Sequence, residues 1–209
     1  MGFMSNPSGG DSTFTVYVKY NAKAGRWYTK EDKQDAEEFE VTNMTAMFDM
    51  DNLKTGWFLF AAGVAPAKTF DPSLSQAATK PGEGYKRGFE LQCYSEKNLL
   101  GVREFSSTAG VVIDAMNALY DQWIAGKAAN PGKLPVVKCT RVTPVTNKHG
   151  TNYQPVLEIV QWADRPSLLA QANSAAAGAP PPAAQAAPAP AAPVPTSPAP
   201  AMASDDVEF

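Results

Sequence analysis

Half of the chain's prolines crowd into one C-terminal stretch that cannot join a folded body. Of eighteen prolines, nine (Pro180, Pro181, Pro182, Pro188, Pro190, Pro193, Pro195, Pro198 and Pro200) fall among alanines, with almost no large apolar group nearby. Proline removes a backbone donor and clashes with the preceding helical turn, and nothing here offsets the entropy of ordering. An extended or coiled linker is expected over 169–203. Were residues 174–204 polyproline-like, they would reach roughly 95 Å at about 3.1 Å per residue. The reading therefore divides the chain into a flexible start (1–11), one folded domain (12–168), the linker, and a tip (204–209).

The tip ends Asp205-Asp206-Val207-Glu208-Phe209. Its carboxylates suit a basic pocket, and Phe209 adds an apolar anchor and its own α-carboxylate, so the tip is expected to be a ligand for other proteins. Its three acids account for the whole formal charge of −3, since the other 18 acids match 18 basic residues. Residues 31–40 (EDKQDAEEFE) hold six of those acids and one lysine, which leaves 17 basic against 12 acidic residues elsewhere in the body. That surplus permits a basic face.

The body is long enough for one domain with a real core. No apolar run approaches the length of a membrane span, and the first residues lack a secretory signal and the serine or threonine that myristoylation needs at position six, which is Asn6. With only Cys93 and Cys139 there is no disulfide framework, and a reducing, cytoplasmic location is expected.

Strand-like segments rich in valine and aromatic residues occur at 14–20 (FTVYVKY), 39–50, 55–62 (TGWFLFAA), 85–95 (YKRGFELQCYS), 134–142 (LPVVKCTRV) and 153–162 (YQPVLEIVQW), separated by Gly, Pro, Asn and Asp. One stretch differs. From 108 to 126, Val112, Met116, Leu119 and Trp123 recur at helical spacing, with Ser106, Ser107 or Thr108 as a cap and Gly126 as a stop. Strands, one helix, then a hairpin is the order of an OB-fold. The expected class is mainly β: a five-stranded Greek-key barrel with one helix between strands 3 and 4, plus a disordered C-terminal tail.

Alternation predicts the faces. Phe14, Val16, Val18 and Tyr20 make a core stripe, leaving Tyr17 and Lys19 outside; Phe89, Leu91 and Cys93 do the same, leaving Lys86 and Tyr94. Trp57 and Leu59 oppose Phe58 and Phe60, and an inward Leu59 would expose both phenylalanines. Two loops, 20–28 with Lys23, Arg26, Trp27 and Tyr28, and 80–88 with Lys80, Tyr85, Lys86 and Arg87, combine cations with rings. Bases stack on rings while lysine and arginine follow the backbone, so Tyr17, Lys19, Lys23, Arg26, Trp27, Tyr28, Phe58, Phe60, Lys86, Arg87 and Tyr94 are the candidate contacts for single-stranded nucleic acid.

Catalysis finds little support. His149 is the only histidine and sits in a turn, Gly82-Glu83-Gly84 with Gly88 misses the dinucleotide spacing, and there is no P-loop, so neither a catalytic residue nor a metal or cofactor is assigned. Two alternatives stay open. One is an interaction module that never touches nucleic acid; the other is a metal-dependent nuclease using Asp49 and Asp51.

An aromatic-rich body, a Pro/Ala linker and an acidic tip ending in Phe resemble the single-stranded DNA-binding proteins of bacteria and their phages. The bacterial tip is typically Asp-Asp-Asp-Ile-Pro-Phe; this chain keeps the acids and the final Phe209 without the Ile-Pro step, and is more similar to phage members. The resemblance implies a protein in the host cytoplasm that coats unwound strands during replication, recombination and repair. It also implies that residues 205–209 recruit polymerase, primase or helicase, and that their acids can compete with DNA for a basic groove.

Overall fold

The computed structural model describes residues 16–33, 36–61, 66–148 and 150–178. The start expected to be flexible (1–11), Phe14, His149, the expected linker beyond 178 and the tip with Asp205, Asp206, Val207, Glu208 and Phe209 lie outside the described residues. Six strand segments are expected from the sequence, and ten strands form: β1 (Tyr17–Asn21), β2 (Arg26–Lys30), β3 (Glu38–Val41), β4 (Thr45–Phe48), β5 (Lys54–Leu59), β6 (Ala67–Phe70), β7 (Lys86–Ser95), β8 (Gly101–Ser107), β9 (Lys133–Asn147) and β10 (Gly150–Asp164). Three helices accompany them, α1 (Glu96–Leu99), α2 (Gly110–Lys127) and α3 (Ser167–Gly178), with a 3-10 turn at Met50–Asn52.

The chain is mainly β, but the strands form one mixed ten-stranded sheet rather than a closed five-stranded barrel. Its order runs β10-β9-β4-β7-β8-β1-β2-β3, with β5 pairing β7 and β6 outside that path. Pairing is antiparallel except between β1 and β8. The β9–β10 ribbon meets the β1–β2 hairpin through two bonds, from Tyr153 N to Ala22 O (2.7 Å) and from Tyr20 Oη to Tyr153 O (3.0 Å).

The unforeseen strands have local causes. Segment 20–28, expected as a loop, is a hairpin because Gly25 takes φ +68°, a left-handed conformation open to glycine, while the Asn21 side chain accepts from Lys23 N and Ala24 N. The 39–50 segment splits into β3 and β4, which lie far apart in the sheet order. Strand β8 escapes a reading by alternation because an arginine, Arg103, holds an inward position beside Phe105. Its guanidinium donates to the carbonyls of Val102 and Lys30.

Helix α2 follows its stripe: Val112, Met116, Leu119 and Trp123 are all buried. Its ends differ from expectation. Ser106 and Ser107 belong to β8, the cap position is Ala109, and the Ser107 hydroxyl accepts from Ala109 N at 3.2 Å. Gly126 lies inside the last turn, where a Cβ would stand 2.6 Å from the Trp162 ring, so it permits close packing on β10 rather than ending the helix. Gln122 closes the β10 edge in place of a strand: Nε2 donates to Leu157 O (3.0 Å) and Oε1 accepts from Ile159 N (3.3 Å). Helix α3 reaches into the segment expected as linker. Alanine favours helix, Leu169 is fully buried, and the first proline of the tract comes only at Pro180.

A core of rings joins the layers. Phe105, fully buried, lies 5.1 Å from Trp27, 5.2 Å from Phe89 and 6.0 Å from Phe48 between centroids, and Trp27 lies 4.9 Å from Tyr20. Tilted and edge-on pairs of this kind each add about 0.5–1.5 kcal/mol beyond area burial. At the other end, buried Asp49 accepts from Arg165, while Asp51 accepts from Arg165 and Lys127, tying the 3-10 turn to α2 and to the segment after β10.

Gly56 sets the fold-back of β6 onto β5, since a Cβ there would stand 2.4 Å from Thr69 O and 2.9 Å from Phe70 Cα. Both are backbone atoms and cannot rotate away. Gly56→Ala should destabilise the protein by roughly 1–3 kcal/mol. Urea denaturation should show the midpoint falling, and an unchanged midpoint would mean the two strands separate freely.

Candidate nucleic-acid interface

Paired residues in a sheet share a face, and side chains two apart along a strand do so too. Lys19 pairs with Tyr28, Asn21 with Arg26, Tyr17 with Glu104, and Glu104 with Gln92, two residues from Tyr94. Further along β7, Lys86 pairs with Phe58 and Lys54 with Glu90. Tyr17, Lys19, Arg26, Tyr28, Phe58, Lys86 and Tyr94 therefore lie on one face, opposite the core. Phe60 joins them by stacking parallel on Phe58, with centroids 6.1 Å apart and planes 6° apart.

Three expected contacts, Trp27, Phe58 and Arg87, are placed differently. Trp27 pairs with Tyr20, so it shares the core face, is 4% exposed and offers no surface to a base. Phe58 is 1% exposed because β6 folds over it, setting Phe70 edge-on at 5.9 Å while Phe60 covers it; Phe60 itself stays 48% exposed. Arg87 lies on the opposite side of β7 and makes a two-pronged pair with Asp71, Nη1 to Oδ1 at 2.8 Å and Nη2 to Oδ2 at 2.6 Å. Lys23 sits in the β1–β2 turn, exposed and off the strands. Tyr17, Tyr28 and Tyr94 are half-buried, and Lys19, Arg26 and Lys86 are exposed.

Lys19 and Arg26 already hold partners. Lys19 Nζ and Tyr17 Oη both donate to Glu38 Oε1, and Arg26 Nη1 donates to Glu40 Oε2 at 2.7 Å. Lys19 Nζ also stands 5.9 Å from the ring centres of both Tyr17 and Tyr28, and Lys30 Nζ is 5.5 Å from that of Tyr17. Partial burial would raise the Glu38 carboxyl, but bonds from Lys19 and Tyr17 and the charges of Lys19 and Lys30 outweigh it and hold Glu38 below the usual range. Between the two ring groups, Lys68 Nζ bridges Glu90 and Glu104 at 2.6 Å each. Burial disfavours the Lys68 charge, yet Glu104 and Glu90 together raise its pKa; Glu90 is raised by its own burial and by Glu104.

Reading by sequence missed Lys30, Lys68, Glu38, Glu90 and Glu104. Continuing the alternation two residues beyond Tyr28 finds Lys30. Lys68 leaves no such trace, because β6 is four residues of unremarkable composition brought over the sheet by Gly56. Beside the face, Trp57 lies between Lys80 (5.6 Å) and Arg87 (5.3 Å) and donates its indole N–H to Ala78 O. Asp71 is held well below the usual carboxylate range by Arg87, against its own burial, with help from Thr55 and the Ala78 amide. This network orders the loop ahead of β7.

The carboxylates of the nuclease alternative are committed elsewhere, Asp49 to Arg165 and Asp51 to Arg165 and Lys127. Among the described residues no three His, Cys, Asp or Glu side chains cluster to hold a metal ion, and no helix is long and apolar enough to cross a membrane. Compared with protein-family models, curated proteins and solved structures, the chain matches none.

Partial burial first, then the Glu38 acceptor, push the Tyr17 phenol up to about 12. Glu38→Gln removes the anion and should bring Tyr17 ionisation down toward the ordinary range near 10. Ultraviolet difference titration of the variant against the parent checks this. Superimposable curves would mean the phenol and carboxylate do not meet in solution.

Proposed function

We propose that this chain binds single-stranded DNA without sequence preference during replication, recombination and repair, along the face built from β2, β1, β8, β7 and β5. The observation that carries the reading is the pairing register, which aligns half-buried and exposed rings (Tyr17, Tyr28, Tyr94, Phe60) with lysines and arginines on one side of the sheet. Rings stack bases of any identity, and cations neutralise phosphates.

Strands β4, β7, β8, β9 and β10, with α2 between β8 and β9, follow the order of an OB-fold, a partly open barrel whose second and third strands carry oligonucleotides. On that reading the β7–β8 face is the binding face, and β1 occupies the gap between β8 and β10. The acidic tip at 205–209 is proposed to recruit polymerase, primase or helicase.

Titration of a fluorescent oligothymidylate at several salt concentrations tests the binding. Affinity should fall steeply with salt through counterion release, and Tyr28→Ala and Phe60→Ala should each cost about 1–3 kcal/mol. Affinity that is flat in salt, or a stronger grip on duplex DNA or RNA than on single strands, would contradict the proposal. Deleting residues 204–209 should leave strand binding intact or tighter while ending capture of replication proteins; a loss of DNA affinity would overturn the role given to the tip.

A further inference from the structure

Two acids of the face, Glu38 and Glu40, lie along one edge strand, and they hold groups that phosphates would need. Strand β3 ends the sheet order, with Glu38 opposite Lys30 and Glu40 opposite Tyr28. Two residues apart on a strand, the two glutamates share a face at a backbone spacing of about 6.8 Å, comparable with adjacent phosphates along an extended single strand. Glu38 takes the Tyr17 hydroxyl and the Lys19 ammonium on one oxygen, and Glu40 takes the Arg26 guanidinium. A phosphodiester presents the same kind of anionic oxygen to the same donors.

We propose that Tyr17 with Lys19, and Arg26, form two subsites for consecutive phosphates of a single strand, which Glu38 and Glu40 fill when no strand is bound. The inference rests on the strand-binding reading and adds its regulation. These ion pairs are surface pairs, with Lys19 and Arg26 side chains about half exposed, and such pairs add little to stability. Exchanging carboxylate for phosphate therefore disturbs the fold little. The competing account is that the glutamates only shield a sheet edge from other chains.

The test compares E38Q/E40Q with the parent, titrating a fluorescent oligothymidylate over a range of salt. The variant should bind several-fold tighter than the parent at low salt, because two anions that compete with phosphate are gone. The exposed helix acids supply the control: D114N/D121N makes the same change of charge on α2 and should leave affinity unchanged. If the parent binds but E38Q/E40Q matches it, weakens, or gains no more than the control, the subsites are wrong and the strand-binding reading survives. If neither chain binds, both fall. If the double variant aggregates, E38Q and E40Q singly are each expected to bind more tightly than the parent; aggregation of the single variants with no gain in affinity favours the edge-shield account and overturns the proposal.

Discussion

Trp27, held between Tyr20 and Phe105, decides which side of three strands meets solvent. Its ring centre lies 4.9 Å from one neighbour and 5.1 Å from the other, joining β2, β1 and β8 through their inward positions. Because side chains alternate with a period of two, burying Val18, Tyr20, Trp27 and Phe105 forces Tyr17, Lys19, Tyr28 and Glu104 to the other side. A slip of one residue would exchange the two sets. The polar face thus exists because the aromatic core leaves its residues nowhere else to go.

Part of the charge on that face is paired within it. Three of its cations are matched by glutamates of other strands, through Lys19 with Glu38, Arg26 with Glu40, and Lys68 with Glu90 and Glu104. The pairs differ in kind. Those at β3 are well exposed and exchangeable, whereas Lys68 is largely withdrawn from water, where breaking one partner leaves a costly uncompensated charge. The centre of the face is consequently a fixed bridge, and its β3 margin is the part free to trade partners.

Other features work as clamps rather than contacts. Asp49, Asp51, Lys127 and Arg165 lock the 3-10 turn to α2 and to the chain leaving β10, and Gln122 satisfies two backbone groups on the β10 edge. Asp71 gathers Arg87, Thr55 and the Ala78 amide. In sequence, Arg87 beside Lys86 looks like a second phosphate contact. Alternation sends it to the far side, where a buried carboxylate claims it.

Local pattern alone determined much of this protein. The stripe of α2, the inward sets Val18 with Tyr20 and Phe89 with Leu91 and Cys93, and the outward Tyr17, Lys19 and Tyr94 all follow from periodicity, because a regular backbone repeats its side-chain directions at fixed intervals. Only the tertiary structure decided which strands neighbour one another, that Trp27 and Phe58 are buried, that α3 extends past Leu169, and that Glu38 and Glu40 meet Lys19 and Arg26. Those outcomes rest on pairings between distant segments and on the glycines, Gly25 and Gly56, that let backbones turn or touch. A side chain's periodicity states its direction, but what it meets there belongs to another part of the chain.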